Sequence, residues 1–487
     1  MYLSKSKYCL GVQCEKILWL DKYKSEEKEE TKNDAVLDNG TEVGIYAQQL
    51  FGDYTVVDFN TNLSKMIDDT KEYLKQDNII LCEASLSYNN NFCSVDILKK
   101  DNDSYEIYEV KSSTEVKDIY LDDASYQYYV LKNLGLNVNK VSIIHINSNY
   151  VRHGEIELNK LFNIVDITDI AISKQEYIKN KIDELNEYMN NKEEVDKDLG
   201  LYCFYPYECP FFKYCSRHLP NNNVFNLRGM PIKSKMKYYH DGKYSYKDLL
   251  NEKINEKYKQ QIEFEMNDLK PYINKDNIRK VLNDLSDKIY FLDFETYQLA
   301  IPPYDNIRPY EQIPFQYSLH ILNNNNLEHK EFLSEDSIDP RRSLAERLVN
   351  DIPINSCTVA YNMSFEKMII KALANIYPDL SEHLMNIYNN MKDLMIPFKD
   401  RDYYVKEMEG SYSIKYVLPA LFPNDPSLDY HNLNLVHKGD EASNAFLSLS
   451  KLDKKEKEEL RYALLKYCEL DTYAMVKIYD KLKEVTK

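Results

Sequence analysis

The stretch KIYFLDFETY, residues 288–297, restricts the fold more than any other part of the chain. Its aromatic and aliphatic residues favour a strand, and the segment reads as buried. Two acids interrupt the run, Asp293 and Glu295, one residue apart. Successive side chains on a strand point to opposite faces, so these two carboxylates project from the same face. Like charges at the lip of a core repel each other and are penalised by burial unless opposite charge is supplied. A strand that ends at a cation-accepting site meets both conditions.

Acidic partners lie downstream. The segment YNMSFEK, residues 361–367, places Glu366 near a helix start. In that helix Phe365, Met368, Ile369, Ala372 and Leu373 share one face, with Ser364 placed as the cap. Near the carboxyl end, YCELD supplies Tyr467 and Asp471, four residues apart and therefore on one side of a long helix. These acids, drawn from three elements, suit two divalent ions about 4 Å apart, which clamp the attacking and leaving oxygens of a phosphodiester. Asp393, in MKDLMIPF, reads as a surface charge.

This constellation resembles the DnaQ-like exonucleases of RNase H fold, of the DEDD type. The resemblance implies that Asp293, Glu295, Glu366 and Asp471 ligate Mg²⁺ or Mn²⁺. It also implies that Tyr467, in a Tyr-x-x-x-Asp motif, positions the nucleophilic water. Glu366 stands where that type commonly has Asp.

The first half carries a second constellation. FCSVDILKK and YEIYEVKSS, separated by the turn-like DNDS, read as a hairpin. Asp96 falls on its first strand; Glu109 and Lys111 fall on one face of its second. A helix in LDDASYQYYVLKNLG, stopped by Gly135, and a buried strand in KVSIIHI follow. Two carboxylates can hold a divalent ion, and a lysine can orient a nucleophile or offset charge developing on phosphorus. The pattern resembles the PD-(D/E)xK nucleases in their RecB-like, CRISPR-associated exonuclease branch. The resemblance adds Glu83 as an upstream metal ligand and Gln127 as the Gln motif of the following helix. Where that branch carries an early-helix His, NGTEVGIYAQQLF offers Gly44 or Glu42.

Nine cysteines, clustered unevenly, form the third signal. Cys203, Cys209 and Cys215 crowd CFYPYECPFFKYC, and Cys9 and Cys14 lie near the start, while Cys82, Cys93, Cys357 and Cys468 sit in apolar contexts as small core residues. The same nuclease branch often carries a 4Fe-4S cluster with one cysteine before the core and three after it. That likeness implies Cys14, Cys203, Cys209 and Cys215 as ligands, with Cys9 as a competitor of Cys14 and zinc as the alternative metal.

The expected architecture is α/β throughout. Residues 1–220 form a RecB-like PD-(D/E)xK domain with the cysteine cluster; 221–285 form a helical connector; 286–487 form a DnaQ-like domain with a mixed sheet. The helical spacing of LLNEKINEKYKQQIEFEMNDL lies in that connector, as does a basic, tyrosine-rich run at 228–247 that reads as a guide for a nucleic-acid strand. The two halves together resemble an uncharacterised bacterial family that fuses these nuclease types; RPYEQIPFQYSLHI, AYNMSFEK and GSYSIKYVLPALFP carry the likeness most specifically. A net charge of −17 argues against indiscriminate coating of nucleic acid but is compatible with an enzyme whose acids hold metal ions. A polar start, MYLSKSKYCLGVQC, and the lack of any long apolar run predict a cytoplasmic protein with no membrane association. The implied activity is metal-dependent hydrolysis of DNA ends or single strands in repair, recombination or defence, with a 3′–5′ exonuclease centre in the second half. RNA exonuclease activity, or a nucleic-acid-binding scaffold with a degenerate first domain, are the alternatives. Protein partners are not readable from the sequence.

Overall fold

The computed structural model describes residues 2–29 and 34–487, with side chains from residue 40 onward in the Asp34–Gln48 helix. The chain is mixed α/β and divides into two units: residues 1–219 with 299–310, and residues 220–298 with 311–487. Residues 221–285 thus fall within the second unit. Among the described residues no helix is long and apolar enough to cross a membrane.

The first unit is built on a seven-stranded sheet. Its strands are β1 (Leu3–Ser4), β2 (Thr55–Val56), β3 (Asn78–Tyr88), β4 (Asn91–Asp101), β5 (Ser104–Lys111), β6 (Asn137–Ile146) and β7 (Phe162–Asp166). The order is β2-β3-β4-β5-β6-β7, with β1 pairing parallel to β4. Tight turns join β3, β4 and β5 into an antiparallel meander. Asn89, Asn90 and Asn102 supply its left-handed backbone positions, which asparagine tolerates better than most residues. The Asp118–Asn133 helix then crosses over so that β6 runs parallel to β5. Gly135, with φ of +84°, ends that helix in the left-handed conformation.

The second unit holds a five-stranded sheet in the order β11-β10-β9-β12-β13. After the short β8 (Tyr272–Ile273) come β9 (Lys288–Tyr297), β10 (Ile313–Asn323), β11 (Asn326–Leu333), β12 (Cys357–Ala360) and β13 (Met391–Asp393). A last strand, β14 (Tyr403–Tyr404), pairs with β8. The first three large strands are antiparallel, and β12 and β13 run parallel to β9. Strand β9 is central and buried on both faces, as its unbroken apolar run requires. Tyr290, Leu292 and Phe294 join the core with the Arg341–Asp351 and Met363–Ile376 helices. On the other face Phe291 packs on Tyr479 of the Lys454–Thr486 helix, and Asp293 and Glu295 follow it at two-residue intervals.

That terminal helix is pinned to β10. Gln316 Nε2 donates to the Leu464 carbonyl at 2.9 Å, and the Thr472 hydroxyl meets Ser318 Oγ at 2.6 Å and His320 Nδ1 at 2.7 Å. Ser318 is the register partner of Asp293, so these bonds fix the helix against the acid-bearing stretch of β9.

Three local expectations change. The Met363–Ile376 helix buries Glu366, Ile369, Ile370, Leu373 and Ala374, whereas Met368 is exposed. The buried stripe is rotated because it includes Glu366, which a purely apolar reading omits. Ser364 does not cap this helix; Asn362 precedes it in the left-handed conformation, with its N–H held by Asp393 Oδ1 at 3.0 Å. The helical segment anticipated across 249–269 begins later, as Glu256–Asn267, because the Asn255 side chain caps it there.

Candidate metal centres

The second unit gathers all the acids singled out in its half. Asp293 is half-buried, and Glu295, Glu366 and Asp471 are 7%, 3% and 8% exposed. Strand β9 brings the first two, the first turn after β12 brings Glu366, and the terminal helix brings Asp471 with Tyr467 one turn earlier. Burial is the main force on every one of these carboxyls. It lifts Asp293 well above its usual range, reinforced by Asp471, Glu366 and Glu295. It lifts Glu295 likewise, with help from Asp471. Glu366 is pushed up to about 8 and Asp471 to about 6. Asp471 rises least because the Tyr430 hydroxyl donates to its Oδ1 at 2.6 Å and Lys415 lies nearby.

A cation fits this arrangement. Oε2 of Glu366 is buried with no hydrogen-bond partner among the described residues. Donor atoms of Asp293, Glu295 and Cys468 lie within 4.8 Å of one another, the one such three-donor group among the described residues. Cys468, expected as plain core filler, is buried but sits 3.9 Å from Asp293 Oδ2. A hard divalent ion would be held by the carboxylates in preference to the thiol.

Sequence reasoning passed over Tyr430 and Lys415. Lys415 Nζ lies 5.8 Å from the ring centres of both Tyr430 and Tyr467, and its charge acts on Asp293, Glu295 and Asp471. It belongs to GSYSIKYVLPALFP, a segment already conspicuous, whereas Tyr430 sits in a one-turn loop with no periodic signal. Asp393 is not a free surface charge. It is half-buried on β13, and its Oδ1 accepts from the Asn362 and Met395 amides, fixing the turn that carries Glu366. The run at 228–247 is largely engaged within its own unit. Tyr239 and Tyr246 are buried, Lys235 Nζ binds the Phe225 carbonyl, and Lys243 pairs with Glu252 at 2.6 Å. Lys233, Lys237, Tyr244 and Lys247 of the same run remain exposed.

In the first unit Glu83, Asp96 and Glu109 form a row across β3, β4 and β5. Glu83 has φ of +56°, a conformation costing a non-glycine residue about 1–2 kcal/mol, and it interrupts the β3–β4 ladder opposite Asp96. Asp96 Oδ2 accepts the Val110 amide at 2.7 Å. Lys111 reaches Glu109 Oε1 and Asp123 Oδ2, both at 2.6 Å, and Gln127 Nε2 donates to Glu109 Oε2 at 2.5 Å. A cavity of about 370 Å³ opens on this row, lined also by Lys5, Gly40, Thr41 and Gly44. A Cβ at Gly44 would meet nothing within 4 Å, so a side chain at that position would enter open space. Burial, then Glu109, lifts Asp96 to about 7, and Lys5 and Lys111 oppose the rise. Burial opposes ionisation of Glu109 too, yet Lys111 and Lys5 outweigh it and hold that carboxyl far below its usual range. Asp123 and Lys5 had not been singled out; Asp123 precedes Gln127 by one helical turn, a spacing that could have exposed it.

The thiols form the third grouping. Cys14, Cys203, Cys209 and Cys215 line one pocket, with Lys16, Lys197 and Tyr202 around them. Cys9 is directed elsewhere, toward Asp123 and Lys111. Burial raises all four thiols of the pocket, and backbone amides counter it: those of Lys16 and Ile17 at Cys14, Gly200 at Cys203 and Phe211 at Cys209. Such amides stabilise thiolate, the form that binds metal. The two ends of the unit are tied around the pocket. Gln13 Nε2 donates to the carbonyls of Tyr202 and Tyr207 at 2.8 Å, and Lys16 pairs with Glu194 at 2.8 Å.

Residues 290–413 match a family model described as "Domain of unknown function (DUF2779)". The matched span includes Asp293, Glu295 and Glu366. An uncharacterized protein of Mycoplasma genitalium is 25% identical over 468 residues, covering 82% of this chain and 69% of that protein. A Ureaplasma parvum protein, also uncharacterized, is 26% identical over 223 residues, covering 41% of this chain and 32% of its own. A Mycoplasma pneumoniae homologue of the first is 28% identical over 236 residues, covering 45% of this chain and 35% of its own. No solved structure matches.

Proposed function

We propose that this chain is a metal-dependent nuclease acting on DNA ends or single strands. Its second unit would be a 3′–5′ exonuclease, and its first a second phosphodiester-cleaving centre. The observation that carries the reading is the convergence of Asp293, Glu295, Glu366 and Asp471 from three elements around an unpartnered carboxylate oxygen. The strand order β11-β10-β9-β12-β13, with only β10 running against the rest, supports an RNase H-like domain of DnaQ type. The meander, crossover helix and parallel strand of the first unit support a PD-(D/E)xK domain.

Two divalent ions, Mg²⁺ or Mn²⁺, held by the four acids would neutralise the nest and supply Lewis acidity at the scissile phosphate. The chain's own groups do the remaining work. Tyr467 orients an attacking water from one turn before Asp471. The Tyr430 hydroxyl keeps Asp471 in its ionised, ligating form. Lys415 supplies a fixed positive charge beside both tyrosine rings, where a phosphate oxygen gains negative charge. In the first unit Lys111, gripped by Glu109 and Asp123, plays the equivalent part beside Glu83 and Asp96.

Four thiols lining one pocket, three of them buried, would hold a 4Fe-4S cluster, with zinc as the alternative metal. Its role would be structural, closing the unit's two ends.

The test follows mononucleotide release from 3′-labelled single-stranded DNA and RNA in Mn²⁺, for wild type, Asp293→Ala and Asp96→Ala. Release should vanish in Asp293→Ala and persist in Asp96→Ala. Full activity in Asp293→Ala would overturn the two-metal assignment, and preferential cleavage of RNA would replace DNA as the substrate.

A further inference from the structure

Lys5 occupies a position that the nuclease pattern does not require. It is the first residue of the Lys5–Gln13 helix, and its ammonium lies 3.0 Å from both carboxylate oxygens of Glu109. The same nitrogen is 3.4 Å from Asp96 Oδ1 and 3.9 Å from Asp123 Oδ1. Its mounting is firm. Strand β1 pairs Leu3 with Asn91 and Ser4 with Phe92, and the Tyr126 hydroxyl donates to the Leu3 carbonyl at 2.5 Å. Ser4 caps the helix, and Tyr8, fully buried, stacks on Tyr126 at 4.6 Å. A long flexible side chain on a free surface would not be held from so many sides.

These contacts use up one carboxylate. Glu109 Oε1 accepts from Lys5 and Lys111, and Glu109 Oε2 from Lys5 and Gln127. Asp96 Oδ2 is spent on the Val110 amide, and Glu83 Oε2 on the Ser94 hydroxyl. Four acids, Glu83, Asp96, Glu109 and Asp123, face two ammonium groups, Lys5 and Lys111. One divalent ion balances that set, and a second would leave it positive.

We propose that Lys5 is the second cation of the amino-terminal centre, a positioning residue that joins Asp96 to Glu109 and limits the site to one divalent ion held by Glu83 and Asp96. The proposal rests on the reading of this centre as a metal site. Lys5 does the charge balancing that a second ion performs in a two-ion site, and it does so without exchanging with solvent.

The experiment counts Mn²⁺ bound to the full chain by electron paramagnetic resonance and calorimetry. Asp293→Ala is present throughout to disable the other centre, and the ions of interest are those whose binding Asp96→Asn removes. One such ion is expected with Lys5 in place, one with Lys5→Arg, and two with Lys5→Ala. Two Asp96-dependent ions with Lys5 present would overturn the proposal, as would one ion in both wild type and a folded Lys5→Ala. If Lys5→Ala fails to fold, as thermal melting would reveal, Lys5→Met, which keeps the bulk and removes the charge, is counted in its place, and one ion there would overturn the proposal equally. No Asp96-dependent ion in any variant would instead reject the metal reading of the centre, and the role of Lys5 with it.

Discussion

Replacing Glu366 with glutamine turns the acid nest into a measurable charge problem. The side chain is buried, and its carboxyl is lifted from an ordinary 4.5 to about 8, by burial first and then by Asp393 and Asp471. Between those values the folded, metal-free protein retains a proton that the unfolded chain releases. Stability contributed by that proton is therefore present below the unfolded value and is lost as pH rises toward 8. At about 1.4 kcal/mol per pH unit, Glu366 alone costs the folded state on the order of 3 kcal/mol at pH 7. Glutamine has the same shape and no titration, so Glu366→Gln should remove that slope. In EDTA the variant should match wild type near pH 4.5 and exceed it by about 3 kcal/mol at pH 7. For a unit of this size that is roughly 6–12 °C in the unfolding midpoint. Adding Mn²⁺ should reverse the order, because wild type gains a ligand that glutamine supplies poorly. Thermal and urea unfolding followed by circular dichroism across pH 4.5–8 makes the comparison. Parallel pH profiles for the two proteins in EDTA would refute the argument, since they would mean that Glu366 is not held in a repulsive, desolvated nest.

Tyr430→Phe removes the hydroxyl that donates to Asp471, so Asp471 should ionise at higher pH and Mn²⁺ binding should shift upward with it, at a cost of about 1–2 kcal/mol near neutrality. A titration of Mn²⁺ affinity against pH checks this, and an unmoved midpoint would count against the role of Tyr430. Under the proposed role, in which Tyr467 positions water and does not ligate, Tyr467→Phe should slow turnover without weakening Mn²⁺ binding; a loss of affinity would make it a ligand instead. Cys209→Ala should strip bound iron and lower the melting temperature of the first unit, read by elemental analysis of anaerobically purified protein. Zinc without iron in the parent protein would reject the cluster. Asp351→Ala should destabilise the second unit by about 1–2 kcal/mol in denaturant melts, because it leaves the buried Tyr317 hydroxyl without its acceptor, while its other partners, Lys330 and Arg347, stay in contact with water.

The sequence made the strands and their charges legible because both follow simple periodicities. Asp293 with Glu295, Glu109 with Lys111, and Tyr467 with Asp471 are pairs at strand or helix spacing, and each pair shares a face in the structure. What escaped notice depends on where the chain returns. Lys5 lies 91 residues from Asp96 and 104 from Glu109, and only the pairing of β1 with β4 brings it to them. Tyr430 reaches Asp471 from 41 residues away through an irregular turn, where no period exists to be read. Asp393 looked like a surface charge because its partners are backbone amides, which sequence does not display. The rotated face of the Met363–Ile376 helix has the same origin. A pattern search counts apolar residues, but the helix turns to bury Glu366, so this acid sets a phase that apolar counting misplaces. Asp123 aside, the missed groups of both centres are cations or hydroxyl donors that temper the acids. A buried acid cluster requires them on physical grounds before any of them is located, so finding such a cluster in a sequence is itself a reason to look for a distant lysine or tyrosine that returns to it.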